Sequence, residues 1–224
     1  MGHQEVPVRI GSVGVGRTVV AASLEAGSWR PAVPRTSFAE HLRPSRHMPP
    51  LAPPSVPPRD GTFEQRVARM AERLHMRGGD VMAVMRFESA LRPDAINPTS
   101  HAVGLIQLLP RNAADLLGLP MTHDREARAV QTFAAMSADE QLDYVEAYFE
   151  RVLGGHGATN LRDAYMAVFY PAAVGRGDAF VIAHADGTSA FERSVYRQNA
   201  GLDANRDGVI TAGEAARRIG GSSG

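Results

Sequence analysis

The sequence predicts a mainly α-helical fold, and three observations carry that expectation. Two capping boxes, Thr62-x-x-Gln65 and Ser137-x-x-Glu140, each open a run whose apolar residues recur at helical spacing. Strand-like patterning is confined to a weak hint at residues 179–183. Near the C-terminus a twelve-residue polar loop, 203–214, lies between two segments that can form helices. At 224 residues and 44% hydrophobic content the chain has room for one ordinary domain with a real core, plus extensions.

Residues 1–61 stand apart from that core. They hold ten of the fifteen prolines, among them Pro49-Pro50, Pro53-Pro54 and Pro57-Pro58, and seven arginines against four acids. Lacking apolar periodicity, such a stretch reads as a disordered Pro-rich leader. Its simplest role is a tether; the sharper alternative is a docking tail for secretion or phage machinery. Thr62 then opens the folded part, 62–200, with Phe63, Val67, Met70 and Leu74 at helical spacing. Gly78-Gly79 are expected to end that helix and Asp80 to cap the next. After a turn at 104–109 a short helix is expected at 112–117, closed by Gly118, and Thr122 is expected to cap another that runs to about residue 135. The second capping box leads into Leu142, Val145, Phe149 and Val152, and Gly154, Gly155 and Gly157 break that helix. Leu161, Tyr165, Val168 and Phe169 give one more, ended near Pro171. Residues 201–219 form the loop and its exit helix, and 220–224 a flexible tail.

Composition excludes several functions. Formal net charge is zero, so bulk attraction points to neither nucleic acid nor an anionic membrane. Cysteine is absent, which removes disulfides and thiolate metal sites. No run approaches the roughly 18–20 apolar residues of a membrane span. The weakly apolar stretch 10–22 is interrupted by glycines and Arg17, a poor signal peptide, and Val6 stands where a myristoylation motif wants Ser or Thr.

Chemistry concentrates between residues 81 and 110. Glu88-Ser89 closes an apolar segment containing Val81, Val84, Met85 and Phe87, and Pro93 stops any helix just beyond. A carboxylate in such surroundings is costly unless it is paired, neutral or used. Sixteen residues on, Gly104-Leu105-Ile106-Gln107 forms a second apolar turn that ends in an amide. A carboxyl and an amide brought together by a Pro/Asn-rich loop suit a cleft that protonates something polar and uncharged. Cleaving a glycosidic bond needs such an acid while the sugar becomes oxocarbenium-like. A glutamate serves near neutral pH when apolar walls, here Met85, Phe87, Leu105 and Ile106, raise its pKa above about 4.3.

These residues resemble the lytic transglycosylase domain with the goose-lysozyme-like fold. The resemblance rests on Glu88-Ser89, then Asn97-Pro98-Thr99-Ser100, then Ala102-Val103-Gly104-Leu105-Ile106-Gln107 and Pro110, and on 167–173, Ala-Val-Phe-Tyr-Pro-Ala-Ala, as an approximate third motif. It implies a lysozyme-like helical domain acting on peptidoglycan glycan strands. Glu88 would protonate the oxygen between N-acetylmuramic acid and N-acetylglucosamine, then take the proton from the muramic C6 hydroxyl as a 1,6-anhydro ring closes. It further implies that Gln107 binds sugar near the cut, that Tyr170 contacts the carboxyl or the substrate, and that Ser89 supports Glu88. His101 stands where the family commonly has Gly, and Pro171 where it usually has Asn. The product therefore stays open: an inverting hydrolase, a muramidase, needs a second carboxylate about 6.5–9.5 Å away, with Asp94 the first candidate, then Asp115 and Asp163. A non-catalytic peptidoglycan-binding or calcium-responsive module is the remaining alternative.

Residues 203–214, DANRDGVITAGE, satisfy the calcium-loop pattern D-x-[DN]-x-[DN]-G-x5-E throughout. Asp203, Asn205 and Asp207 supply oxygens at positions 1, 3 and 5, Val209 offers its carbonyl, Thr211 sits at position 9 and Glu214 closes bidentately. A helix at 190–199 is expected to enter and one at 213–219 to leave. A lone EF-hand-type loop beside a catalytic domain predicts a structural Ca²⁺ that pins the C-terminal helix, with no organic cofactor. The setting expected is the periplasm or cell wall. Without a clear signal peptide, it would be reached by specialised export as an effector, as part of a virion, or through a phage holin.

Overall fold

Thr62 starts the first helix as its sequence dictates. Its hydroxyl accepts the Gln65 N–H at 3.3 Å, and the Gln65 side chain accepts the Thr62 N–H at 2.9 Å. Two donors orphaned at a helix start are thus satisfied reciprocally. The computed structural model describes residues 60–220, so the expected leader, up to residue 59, and the tail from 221 lie outside the described residues. Helix α1 spans Phe63–Arg73 and buries Arg66, Val67, Met70 and Ala71.

α1 ends earlier than the glycine pair suggested. His75 adopts a left-handed φ of 53°, and the Met76 N–H turns back to the Ala71 carbonyl at 2.8 Å. Gly78 and Gly79 instead form the first turn of α2, Gly78–Ser89. The reason is steric: a Cβ on Gly78 would lie 3.1 Å from the Ala68 Cα, so glycine lets α2 start against the backbone of α1. α2 has no side-chain cap, and Asp80 lies inside its first turn. There burial pushes the Asp80 carboxyl above its ordinary range against the opposing pull of Arg77. Val81, Met82, Val84 and Met85 are all buried, so α2 is apolar round most of its circumference and runs through the core.

Helices α3 (Pro110–Leu116) and α4 (Arg125–Ala135) pack on one another. α4 begins after Asp124 rather than at Thr122 and has no side-chain cap bond; the Thr122 hydroxyl is spent on Asp124, holding that carboxyl below its ordinary range. α5 (Ala138–Leu153) opens with the second capping box and stops at left-handed Gly154. Buried Arg66 ties α1 to α5 through Asp139 and, at 3.7 Å, Asp143. α6 (Leu161–Phe169) is capped by Asn160 and crosses α2, where Phe87 meets Tyr165 edge-on at 5.5 Å.

The strand hint becomes β1, Val181–His184, displaced toward the C-terminus. Its antiparallel partner β2, Val209–Thr211, was not expected, because it lies inside the acidic loop. α7 (Ala190–Asn199) enters that loop and α8 (Ala212–Gly220) leaves it, matching the flanks read from sequence. One hydrophobic core runs from Val67 and Met85 through Phe149 and Tyr165 to Ile182, Ile210 and Ile219. The loop-and-helix unit is therefore packed into the same body as α1–α6, with α8 resting on α6 and α2. Among the described residues no helix is long and apolar enough to cross a membrane.

Candidate active site

Glu88 and Ser89 form the last turn of α2 and are 2% and 0% exposed. The chain leaves the helix through consecutive left-handed residues, Ala90 (φ 54°) and Leu91 (φ 61°). His101 (54°) and Gln107 (49°) share that conformation, so four of the six described non-glycine residues with positive φ fall between Glu88 and Gln107. A side chain there costs about 1–2 kcal/mol, and such strain gathers at working sites. His101 thus occupies a backbone position that favours glycine, which accounts for the glycine common there in the resembled family. Replacing Ala90 or His101 by glycine is expected to stabilise the fold by about 0.5–1 kcal/mol, raising the melting temperature by about 1–4 °C. A lowered melting temperature would mean the strain is not what these positions store.

The turn after the loop is held from every side. The Ser89 hydroxyl lies 3.0 Å from the Leu105 carbonyl and 3.1 Å from that of Met85. The Leu105 N–H donates to Gln141 Oε1 at 2.9 Å, and Gln141 Nε2 donates to Pro93 O and Phe133 O, both at 2.7 Å. Gly104 is required beneath this amide: φ is 81°, and a Cβ would meet Gln141 Oε1 at 2.4 Å. Gln107 spends both Nε2 hydrogens on backbone carbonyls, Ala95 and Gly104, at 3.1 Å each. Its Oε1 is buried with no hydrogen-bond partner, an acceptor facing a desolvation cost of about 1–3 kcal/mol until a donor arrives. Asn97 builds the intervening loop by accepting the Thr99 and Ser100 N–H groups at 2.9 and 3.0 Å. Met85, Leu105 and Ile106 are buried and Phe87 is packed against the core.

Ser89 and Gln107 are thereby drawn to one turn at the end of the Glu88 helix; Tyr170 is supplied by α6, which packs on that helix. It ends α6, with its ring 6.0 Å from Phe180. Burial, aided by the charge of Glu192, pushes its hydroxyl above the ordinary range. Pro171 heads a 3-10 turn, Pro171–Ala173, where the missing N–H is one that a helix start leaves unsatisfied anyway. The other candidate carboxylates are engaged by arginine. Asp94 is 62% exposed with Arg92 at 3.3 Å, and that hydrogen bond holds it below the ordinary range. Asp115 takes Arg125 at 2.8 Å. For Asp163, burial pushes the carboxyl up but Arg162, Asn160 and the Gly175 N–H outweigh it, leaving it lowered.

In the C-terminal loop, Asp203 accepts the Asp207 and Gly208 N–H groups at 3.2 and 3.0 Å and the Tyr196 hydroxyl at 2.7 Å. Asn205 accepts the Asp207 N–H at 3.0 Å, and Asp207 that of Val209 at 2.8 Å. Glu214 accepts from the Thr211 N–H and hydroxyl at 3.0 and 2.9 Å. Asp203 and Glu214 are buried, and Gly208 makes the turn at φ 84°. These side-chain oxygens are bonded mostly to the loop's own backbone N–H groups, and among the described residues no group of three or more His, Asp or Glu stands as a metal cluster. As a donor set, hard oxygens throughout, they fit Ca²⁺ by chemistry.

The described body is mainly helical, with a buried glutamate at the end of the helix that runs through its core. Residues 68–153 match the family model described as the transglycosylase SLT domain. Residues 68–153 are thus similar to a family of peptidoglycan lytic transglycosylases, enzymes that act in the periplasm or on the cell wall. The matched stretch contains Glu88, Ser89, Gln107 and Gln141; Tyr170 and the polar loop fall beyond it. No match was found among curated proteins or among solved structures. Gln141 went unnoticed in the sequence. Its signal was a polar residue on the apolar stripe it shares with Val145 and Tyr148, both buried.

Proposed function

We propose that Glu88 is the sole protein acid and base of a lytic transglycosylase reaction on the β-1,4 bond between N-acetylmuramic acid and N-acetylglucosamine. The protonated carboxyl gives its hydrogen to the glycosidic oxygen, and the N-acetylglucosamine side leaves as an alcohol. The resulting carboxylate takes the proton of the muramic C6 hydroxyl, whose oxygen closes on C1 as a 1,6-anhydro ring. Glu88 returns to its starting state and no water is consumed. The observation that carries this reading is a carboxyl buried to 2% exposure beside a turn bearing the unsatisfied Gln107 acceptor. Gln107 Oε1 accepts a hydroxyl or acetamide N–H of the bound sugar. Ser89 supports Glu88 by bonding the Leu105 carbonyl, and Tyr170 contacts the substrate from the α6 side. The arginine partners of Asp94, Asp115 and Asp163 argue against a hydrolytic role for them. Mass spectrometry of digested sacculi tests the product: anhydro-terminated fragments are expected, and reducing ends would replace this reading with the muramidase.

Ca²⁺ would be held by Asp203, Asn205, Asp207, the Val209 carbonyl, Thr211 and Glu214, as a structural ion rather than a participant in the reaction. Two backbone bonds support its coupling to the enzyme: Ala212 N–H to Phe180 O at 2.9 Å and Gly213 N–H to Asp178 O at 3.0 Å. Together with β1–β2 they tie the loop's exit to the segment carrying Phe180, on which Tyr170 rests. Delivery to the wall by a secretion system or a phage, through the leader, remains part of this proposal.

A further inference from the structure

We infer that Gln141 is a positioning residue for the reaction, setting the Gln107-bearing turn against the end of the Glu88 helix; this rests on the reading of Glu88 and Gln107 proposed above. One buried amide, 1% exposed, bonds three backbone segments at once. Its acceptor takes the Leu105 N–H, and its two donors take Pro93 O, on the loop after Glu88, and Phe133 O, at the end of α4. The Leu105 backbone is therefore held on both sides of its Cα, its N–H by Gln141 and its carbonyl by Ser89. Leu105 stands two residues before Gln107, and Gly104, between Gln107 Nε2 and Ala95 in the same network, has no space for a side chain beneath the Gln141 oxygen. A residue needed only for packing on the α5 stripe would be apolar, as Val145 is. An amide there supplies direction, since donors and acceptor face different segments.

Small misplacements of a catalytic group are costly in turnover, so the effect belongs in kcat. The test uses the full chain: wild type, Gln141→Glu, which keeps the acceptor but loses both donors, and Gln141→Met, which loses all three at similar length. Gln141→Asn, with every group on a shorter arm, stands in should either of these not fold. Val145→Ala, one turn along α5, is the control for lost stability alone. All are assayed on purified peptidoglycan at a temperature where circular dichroism shows them folded. kcat per folded molecule is expected to fall about 10- to 100-fold in the Gln141 variants with apparent KM little changed, while the Val145 variant keeps its turnover. Gln141 variants that turn over like the Val145 control, or that lose only KM, overturn the inference while a dead Glu88→Gln leaves the site reading standing. Activity retained by Glu88→Gln overturns both.

Discussion

Replacing Glu88 by glutamine is expected to abolish the release of soluble fragments from purified peptidoglycan. The substitution keeps the shape and burial of the side chain but leaves no proton to give and no carboxylate to receive one. A positioned acid/base contributes about 10²–10⁴-fold, and in the proposed reaction one group serves both halves, so the loss is expected at or beyond the upper end of that range. Folding is a separate readout: circular dichroism and binding to sacculi should stay close to wild type, because Gln107 and the turn at Leu105 are untouched. Fragments released at the wild-type rate would refute the role of Glu88. A soluble but unreactive variant that still sediments with sacculi would separate chemistry from binding, which a purely non-catalytic module could not do.

Calcium is expected to raise the melting temperature and a chelator to lower it. An ion at about 100 times its dissociation constant adds about 2.7 kcal/mol to the folded state. For a chain of this size that corresponds to about 5–10 °C. The shift should vanish in Glu214→Gln and Asp203→Asn, which remove charge at the closing and opening positions of the loop. Magnesium should do much less, since it demands smaller octahedral geometry and dehydrates reluctantly. Equal melting temperatures in calcium and chelator would remove the ion from this account. The coupling of loop to fold follows from packing: α8 lies against α6 and α2, so loosening the loop frees a face of the core rather than a tail.

Much of this molecule could be read locally. Thr62 and Ser137 announced their helices, because a capping box is complete within four residues. The flanks of the polar loop were legible for the same reason. Reading failed where a local signal had a distant cause. Gly78-Gly79 looked like a stop, yet Gly78 is glycine because Ala68 lies 3.1 Å from where its Cβ would be. Thr122 looked like a cap and is instead a partner of Asp124. β2 was hidden because its partner β1 is a short strand separated from it by the whole of α7.

What the sequence by itself determined is the set of helices, the glutamate at the end of the apolar one, and the ordered oxygens of the 203–214 loop. Each depends on residues a few positions apart, within reach of one another whatever the rest of the chain does. The tertiary structure alone decided which groups hold the turn beside Glu88. Gln141 reaches Leu105 across 36 positions and Pro93 across 48, and such bonds exist only after the core has brought α5 against the loop. It also decided that Tyr170 rests on Phe180, and that the calcium-type loop, through Ala212 and Gly213, is fastened to that same segment.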